Sequence, residues 1–179
     1  MDVLIYCLSI FIISCFILIW YISVYNRYQN YIIRINEAEA NIDSTLRKRF
    51  DLLNKSIGII KANTNEEKVL DIITSLRSKK LTNFDLDRKL YEAINEFSKY
   101  KEDYPKLKKH DEYMKVDLGL SETEAEIVAS RKYYNDIITD YNKLVKNCPS
   151  NLVALLKGYK SKNYFDGHNL DEEKGAVKL

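Results

Sequence analysis

Three places in this 179-residue chain hold side chains suited to chemistry. The stretch RKYYNDIITDYNKLVKNCPSN, residues 131–151, carries the pair Tyr-Asn twice, at Tyr134-Asn135 and Tyr141-Asn142, and includes the thiol of Cys148. His110 and His168 are the only imidazoles, and Asp43, Arg47, Asp51 and Lys55 alternate in sign at four-residue steps. A thiol nucleophile needs a histidine beside it and a third group to orient that base. His110 lies far from Cys148 in the chain, and nothing local joins them. A metal-binding bundle would project Glu-x-x-His pairs from facing helices. Neither histidine has Glu three positions earlier, and there is no Gly-rich phosphate loop. The expectation is therefore a protein that is not an enzyme, with no catalytic residue, metal or cofactor.

The Tyr-Asn repeat has a simpler explanation. Its seven-residue spacing equals two helical turns, so Tyr134 and Tyr141 share one face with Ile127 and Ile138. These four residues are expected to form a buried bundle seam, with the phenol hydroxyls reaching polar partners. Asn135 and Asn142, one step round, would satisfy neighbouring backbone or side-chain groups. The Asp43–Lys55 series is likewise expected to be a solvated helix face held by i,i+4 ion pairs.

Such a seam requires long helices, and the composition permits them. The chain has only five Gly and two Pro, and its 28 Lys+Arg against 26 Asp+Glu leave a formal charge of +2. A nucleic-acid groove needs a concentrated basic face, so no nucleic-acid partner is expected. Cys7, Cys15 and Cys148 form no disulfide framework.

From Val3 to Tyr25, VLIYCLSIFIISCFILIWYISVY, no residue is charged. As a helix this segment spans roughly 34 Å, enough for a hydrocarbon layer of about 30 Å. Trp20, Tyr21 and Tyr25 fall near its C-terminal end, where amphipathic rings favour the interface. A cleaved signal peptide would show a basic start, a shorter apolar core and an A-x-A cleavage pattern. None is present, so residues 3–25 are expected to be a transmembrane anchor after a short end at 1–2. Arg27 and Arg34 follow the anchor and no Lys or Arg precedes it. The positive-inside rule then puts the following domain in the cytoplasm and the N-terminus outside.

Beyond the anchor the pattern predicts an all-α domain. Tyr28, Ile32, Ile35, Ala38, Ile42, Leu46, Phe50, Leu53, Ile57 and Ile60 trace one helical face to about residue 62. A second helical region holds Val69, Ile72, Ile73 and Leu76, then Phe84, Leu90, Ile94, Phe97 and Tyr104, and stops at Pro105. A third runs from near Lys109 to about Lys146. The Ser121–Glu124 capping box offers a fresh start inside it, but the stripe keeps phase across Gly119, favouring one helix. A last short helix places Leu152, Val153, Leu155 and Leu156 on its apolar side. Ser150 or Asn151 caps it, Gly158 ends it, and Tyr164-Phe165 docks before a polar tail over 166–179.

Taken in order, Tyr25-Asn26, IDSTLRKRFDLL, YPKL, SETEAEI, RKYYND, DYN, PSNLVA and YF resemble the LemA family over about Tyr25 to Phe165. The resemblance implies a single-pass bacterial membrane protein whose residues 26–165 form an elongated antiparallel bundle of about four helices. It also implies neighbours among other envelope proteins, including membrane proteases and TPM-domain proteins. Asn54 stands where the family usually has Pro, and Glu39 where a Trp is common. A kink at the first position and a role for the second ring therefore do not carry over.

Two functions are expected to compete. One is a membrane-tethered scaffold or adaptor for other envelope membrane proteins, with Asp43, Arg47, Lys48, Arg49 and Asp51 as the contact strip. The other is a membrane-associated hydrolase using acidic residues or Cys148. Partners are then the bilayer through residues 3–25, an envelope protein, and a second copy of the chain through the tyrosine seam.

Overall fold

The computed structural model describes residues 2–64, 66, 68–76 and 81–165. The expectations for Met1, His168 and the tail at 166–179 lie outside these described residues. Helix α1 runs Asp2–Asn63, α2 Asp71–Leu76, α3 Asn83–Asp103, α4 Asp111–Lys146 and α5 Asn151–Lys157, with a 3-10 turn at Leu107–Lys109. Among the described residues there is no strand, and the chain folds as an all-α helical bundle.

The boundaries follow local chemistry. α3 starts where the Thr82 hydroxyl accepts the Asp85 amide at 3.1 Å, a side-chain N-cap. It ends at Asp103, two residues before Pro105. α1 passes Asn54 unbroken. α4 passes Gly119 unbroken, where a Cβ would stand 3.1 Å from Leu52 Cδ1; the missing side chain admits Leu52 against the helix. Gly158 ends α5 in the left-handed region at φ 70°, and Tyr159 N–H then donates to Ala154 O at 2.9 Å.

Two expectations at the chain's end are corrected. Ser150 stands at the N-cap of α5 but makes no side-chain cap bond, its hydroxyl donating instead to Leu144 O and Asn147 O at 2.7 and 2.8 Å. On α5, Val153 and Ala154 are buried, whereas Leu152, Leu155 and Leu156 remain exposed. The helix is only seven residues long, and its buried face is the one carrying the two smaller side chains.

The described residues form two compact units. One takes the chain up to Glu37 together with Tyr134–Tyr164. Tyr28 lies at its centre, fully buried; its hydroxyl donates to Leu144 O at 2.7 Å and Ser150 O at 3.2 Å. The Tyr28 ring is 4.8 Å from that of Tyr159 and meets Tyr141 edge-on at 6.1 Å. Tyr141 and Ile138 are buried in this unit, whereas Tyr134, expected to be buried with them, is only half-buried; Ile127 is buried in the second unit. Asn142 clasps the backbone of Lys162, accepting its N–H and donating to its C=O, both at 2.8 Å. Replacing Asn142 with Ala removes both bonds at once. The Lys162 amide is then expected to lose most of its protection in hydrogen exchange, while the Ile35 amide, inside α1, keeps its own.

The second unit takes Ala38–Tyr133, with Phe165. Its core includes Ile42, Leu46, Leu53, Ile60, Leu70, Ile73, Leu90, Phe97, Tyr113, Val116 and Leu120. Phe97 and Tyr113 stack with centroids 4.4 Å apart, and the Tyr113 hydroxyl donates to Phe97 O at 2.7 Å. Phe165 meets Phe84 edge-on, so the expected docking of that ring occurs.

Burial pushes the phenols of Tyr113 and Tyr141 upward, with the Asp117 charge adding to the first and Tyr159 to the second. An unfolded tyrosine ionises near pH 10. Below that pH the contribution of these neutral phenols to stability is complete. Above it, the unfolded chain ionises first, and stability falls by about 1.4 kcal/mol per pH unit for each phenol until its folded pKa is reached. Tyrosinate absorbance at alkaline pH is therefore expected to rise in two phases, the later one coinciding with loss of helix ellipticity.

Candidate functional site

The densest set of charged side chains lies inside the second unit and begins on α1. Tyr28, Ile35, Ile42, Arg49 and Ser56 recur every seven residues and are all buried. Arg49 therefore occupies a seam position. It does not belong to the exposed contact strip in which the sequence reading placed it, because it points roughly 200° round the helix from Arg47. A buried guanidinium must be paired, since desolvation costs several kcal/mol per ion.

Its partners come from α3 and α4. Arg49 Nη2 pairs with Glu124 Oε2, and Nη1 lies 3.5 Å from Asp87 Oδ1. Arg49 Nε donates to Thr123 Oγ at 3.3 Å, and Thr123 in turn donates to Leu120 O at 2.8 Å. Asp87 is also buried, and its other oxygen pairs with Arg131 Nη2. The Arg131 guanidinium lies 5.6 Å from the Phe165 ring centre. Burial lowers the Arg49 pKa, Asp87 opposes that shift, and Arg131 adds to it. Arginine nonetheless stays protonated, so it is a fixed charge rather than a proton carrier. Two cations and two carboxylates compensate one another and tie α1, α3 and α4 together.

Sequence reasoning missed this cluster. The seven-residue step from Ile42 through Arg49 to Ser56 was the available signal for Arg49. Asp87 and Arg131 had none, and Glu124 was read only as half of a capping box. That box does not form, because α4 is continuous there and Glu124 turns to Arg49.

The rest of the expected strip is at the surface. Arg47 pairs with Asp43 at 2.8 Å, and Lys48 reaches Glu126 of α4 at 3.1 Å. Asp51, Lys55, Leu52 and Glu122 line a shallow cavity of about 470 Å³ beside them. In the first unit, a cleft of about 410 Å³ is bordered by Trp20, Arg27, Tyr31, Lys143 and the exposed Cys148. His110 is half-buried at the end of the 3-10 turn, where its carbonyl accepts the Met114 amide.

The family profile for LemA matches residues 38–179. The chain belongs to the LemA family. Among curated proteins none matches it. The LemA match takes in every residue of the buried cluster and of the surface strip, whereas the apolar segment at 3–25 lies before it. That segment forms the start of α1, the one helix among the described residues long and apolar enough to cross a membrane. Its large side chains from Val3 to Ile19 are exposed, which fits membrane anchoring.

Proposed function

We propose that this LemA-family chain is a single-pass membrane scaffold or adaptor that holds another envelope membrane protein, without catalysing a reaction. One observation carries the reading: a single helix, α1, joins an apolar segment whose side chains are unburied to a bundle bearing a charged surface strip. A helix with that much exposed apolar surface needs a non-aqueous surrounding, and residues 3–25 are long enough to take the bilayer as theirs. The strip, now Asp43, Arg47, Lys48 and Asp51, offers both signs of charge in a fixed pattern. Such patterns select partners more than they tighten binding.

A photo-crosslinker at Asp51 in native membranes is expected to capture one discrete partner, and the combination Arg47→Glu with Lys48→Glu to abolish that product. A smear of random neighbours, unchanged by the charge reversal, would count against the scaffold. The hydrolase reading draws on acidic residues or on Cys148, which is exposed at a cleft; it requires an activity lost in Cys148→Ala or in substitutions of the acidic residues.

Arg27 and Arg34 favour a cytoplasmic bundle with the N-terminus outside. Cys148 is the one thiol outside the apolar segment, so it reports the side directly. A membrane-impermeant maleimide is expected to leave it unlabelled in intact cells and to label it after permeabilisation. Labelling in intact cells reverses the orientation.

A further inference from the structure

We infer that α5 is a second membrane contact, laying Leu152, Leu155 and Leu156 on the bilayer surface beside the point where the anchor emerges; this rests on the reading of residues 3–25 as an anchor. The three leucines stand at i, i+3 and i+4, one face of the helix, and are 53%, 81% and 74% exposed. The opposite face is committed, since Val153 and Ala154 are buried. The outward face of α5 is thus made of the larger apolar side chains and the inward face of the smaller. That is backwards for a helix bathed in water and correct for one resting on lipid.

The position of α5 names the occupant. Lys157 Nζ lies 5.3 Å from the ring centre of Tyr25, the last residue of the apolar segment. Just after the helix, the Tyr159 ring lies tilted against Tyr28, with centroids 4.8 Å apart, and its hydroxyl accepts from Gln29 Nε2 at 2.8 Å. Within this unit α5 is therefore pinned within about one turn of the anchor's aromatic end, where the bilayer interface lies. The exposed apolar face continues a surface already given to lipid. Lys157 and Lys160, both exposed, add the cations that anionic headgroups attract.

The test uses the full chain in phosphatidylcholine–phosphatidylglycerol vesicles, with Cys7, Cys15 and Cys148 replaced by Ser. An environment-sensitive fluorophore is attached at Ile12→Cys, Leu156→Cys or Ser44→Cys, one at a time. Spin-labelled lipids quench it from the headgroup region or from deep in the acyl chains. The probe at 12 is expected to be quenched by the deep label, the probe at 156 by the shallow label, and the probe at 44 by neither. With Leu152→Cys as the probed site, Leu155→Asp plus Leu156→Asp should remove the shallow quenching. These side chains are exposed, so the variant leaves the core intact.

If position 12 is quenched and 156 behaves like 44, the anchor stands and this inference falls. If 12 is not quenched, the anchor reading falls and takes the inference with it. If the probe at 156 is shielded from lipid but self-quenches as protein concentration rises, a second copy covers the leucines, and the bilayer assignment is wrong.

Discussion

Asp87→Ala is expected to destabilise the bundle by about 3–5 kcal/mol, among the largest losses for a single side chain here. Asp87 stands between two arginines, one on α1 and one on α4. Its removal leaves Arg49, whose side chain is 1% exposed, with only the half-exposed Glu124 to balance it, and leaves Arg131 as an added repulsion. Arg49→Met should cost less, because Asp87 keeps Arg131 and the methionine chain fills much of the vacated volume. Arg49→Met combined with Asp87→Ala should cost less than the sum of the two by about 0.5–3 kcal/mol, since neither charge is then left buried alone. Urea titration of helix ellipticity for the full chain in micelles measures all three. Equal losses for the two single changes, with an additive double, would mean that the ions do not interact.

Tyr28→Ala is expected to cost about 3–5 kcal/mol, the range for deleting a fully buried aromatic ring. Tyr28 is fully buried, and rings of Tyr141 and Tyr159 rest against it. Tyr28→Phe separates the ring from its hydroxyl. Leu144 O would keep the Ser150 hydroxyl, and Ser150 O would keep the Val153 and Ala154 amides, so neither carbonyl is orphaned. The loss should then be only about 0.5–1.5 kcal/mol. Because Tyr159 leans on this ring, Tyr28→Ala should also raise amide exchange across α5, and Tyr28→Phe should not. A phenylalanine variant as unstable as the alanine one would assign the energy to the hydrogen bonds rather than to packing.

Much of this architecture was legible before any coordinates. The unbroken apolar run at 3–25, the helical steps from Tyr28 to Ile60 and the two prolines mark where α1, α3 and α4 run and stop. Arg49 was hidden because binary patterning reads a charged residue as outward. Whether it can turn inward depends on Asp87 and Glu124, dozens of residues away, and no local pattern carries that information. The capping box at Ser121–Glu124 misled for a related reason: a tertiary partner claimed the glutamate. On α5 the apolar residues were visible, but which of them face the protein is decided by Tyr25, Tyr28 and the chain reversal at Gly158. The leucines left over are the exposed ones, Leu152, Leu155 and Leu156.

The proposed scaffold needs an apolar rod that lies in the bilayer and, after it, a helical bundle that holds a partner. Washing membranes with alkaline carbonate tests the first half of that claim most directly. The full chain is expected to remain in the pellet, whereas a chain with Ile10, Ile13 and Ile17 all changed to Lys should move to the supernatant with its remaining helices folded. Release of the unaltered chain, or retention of the lysine variant, would contradict it.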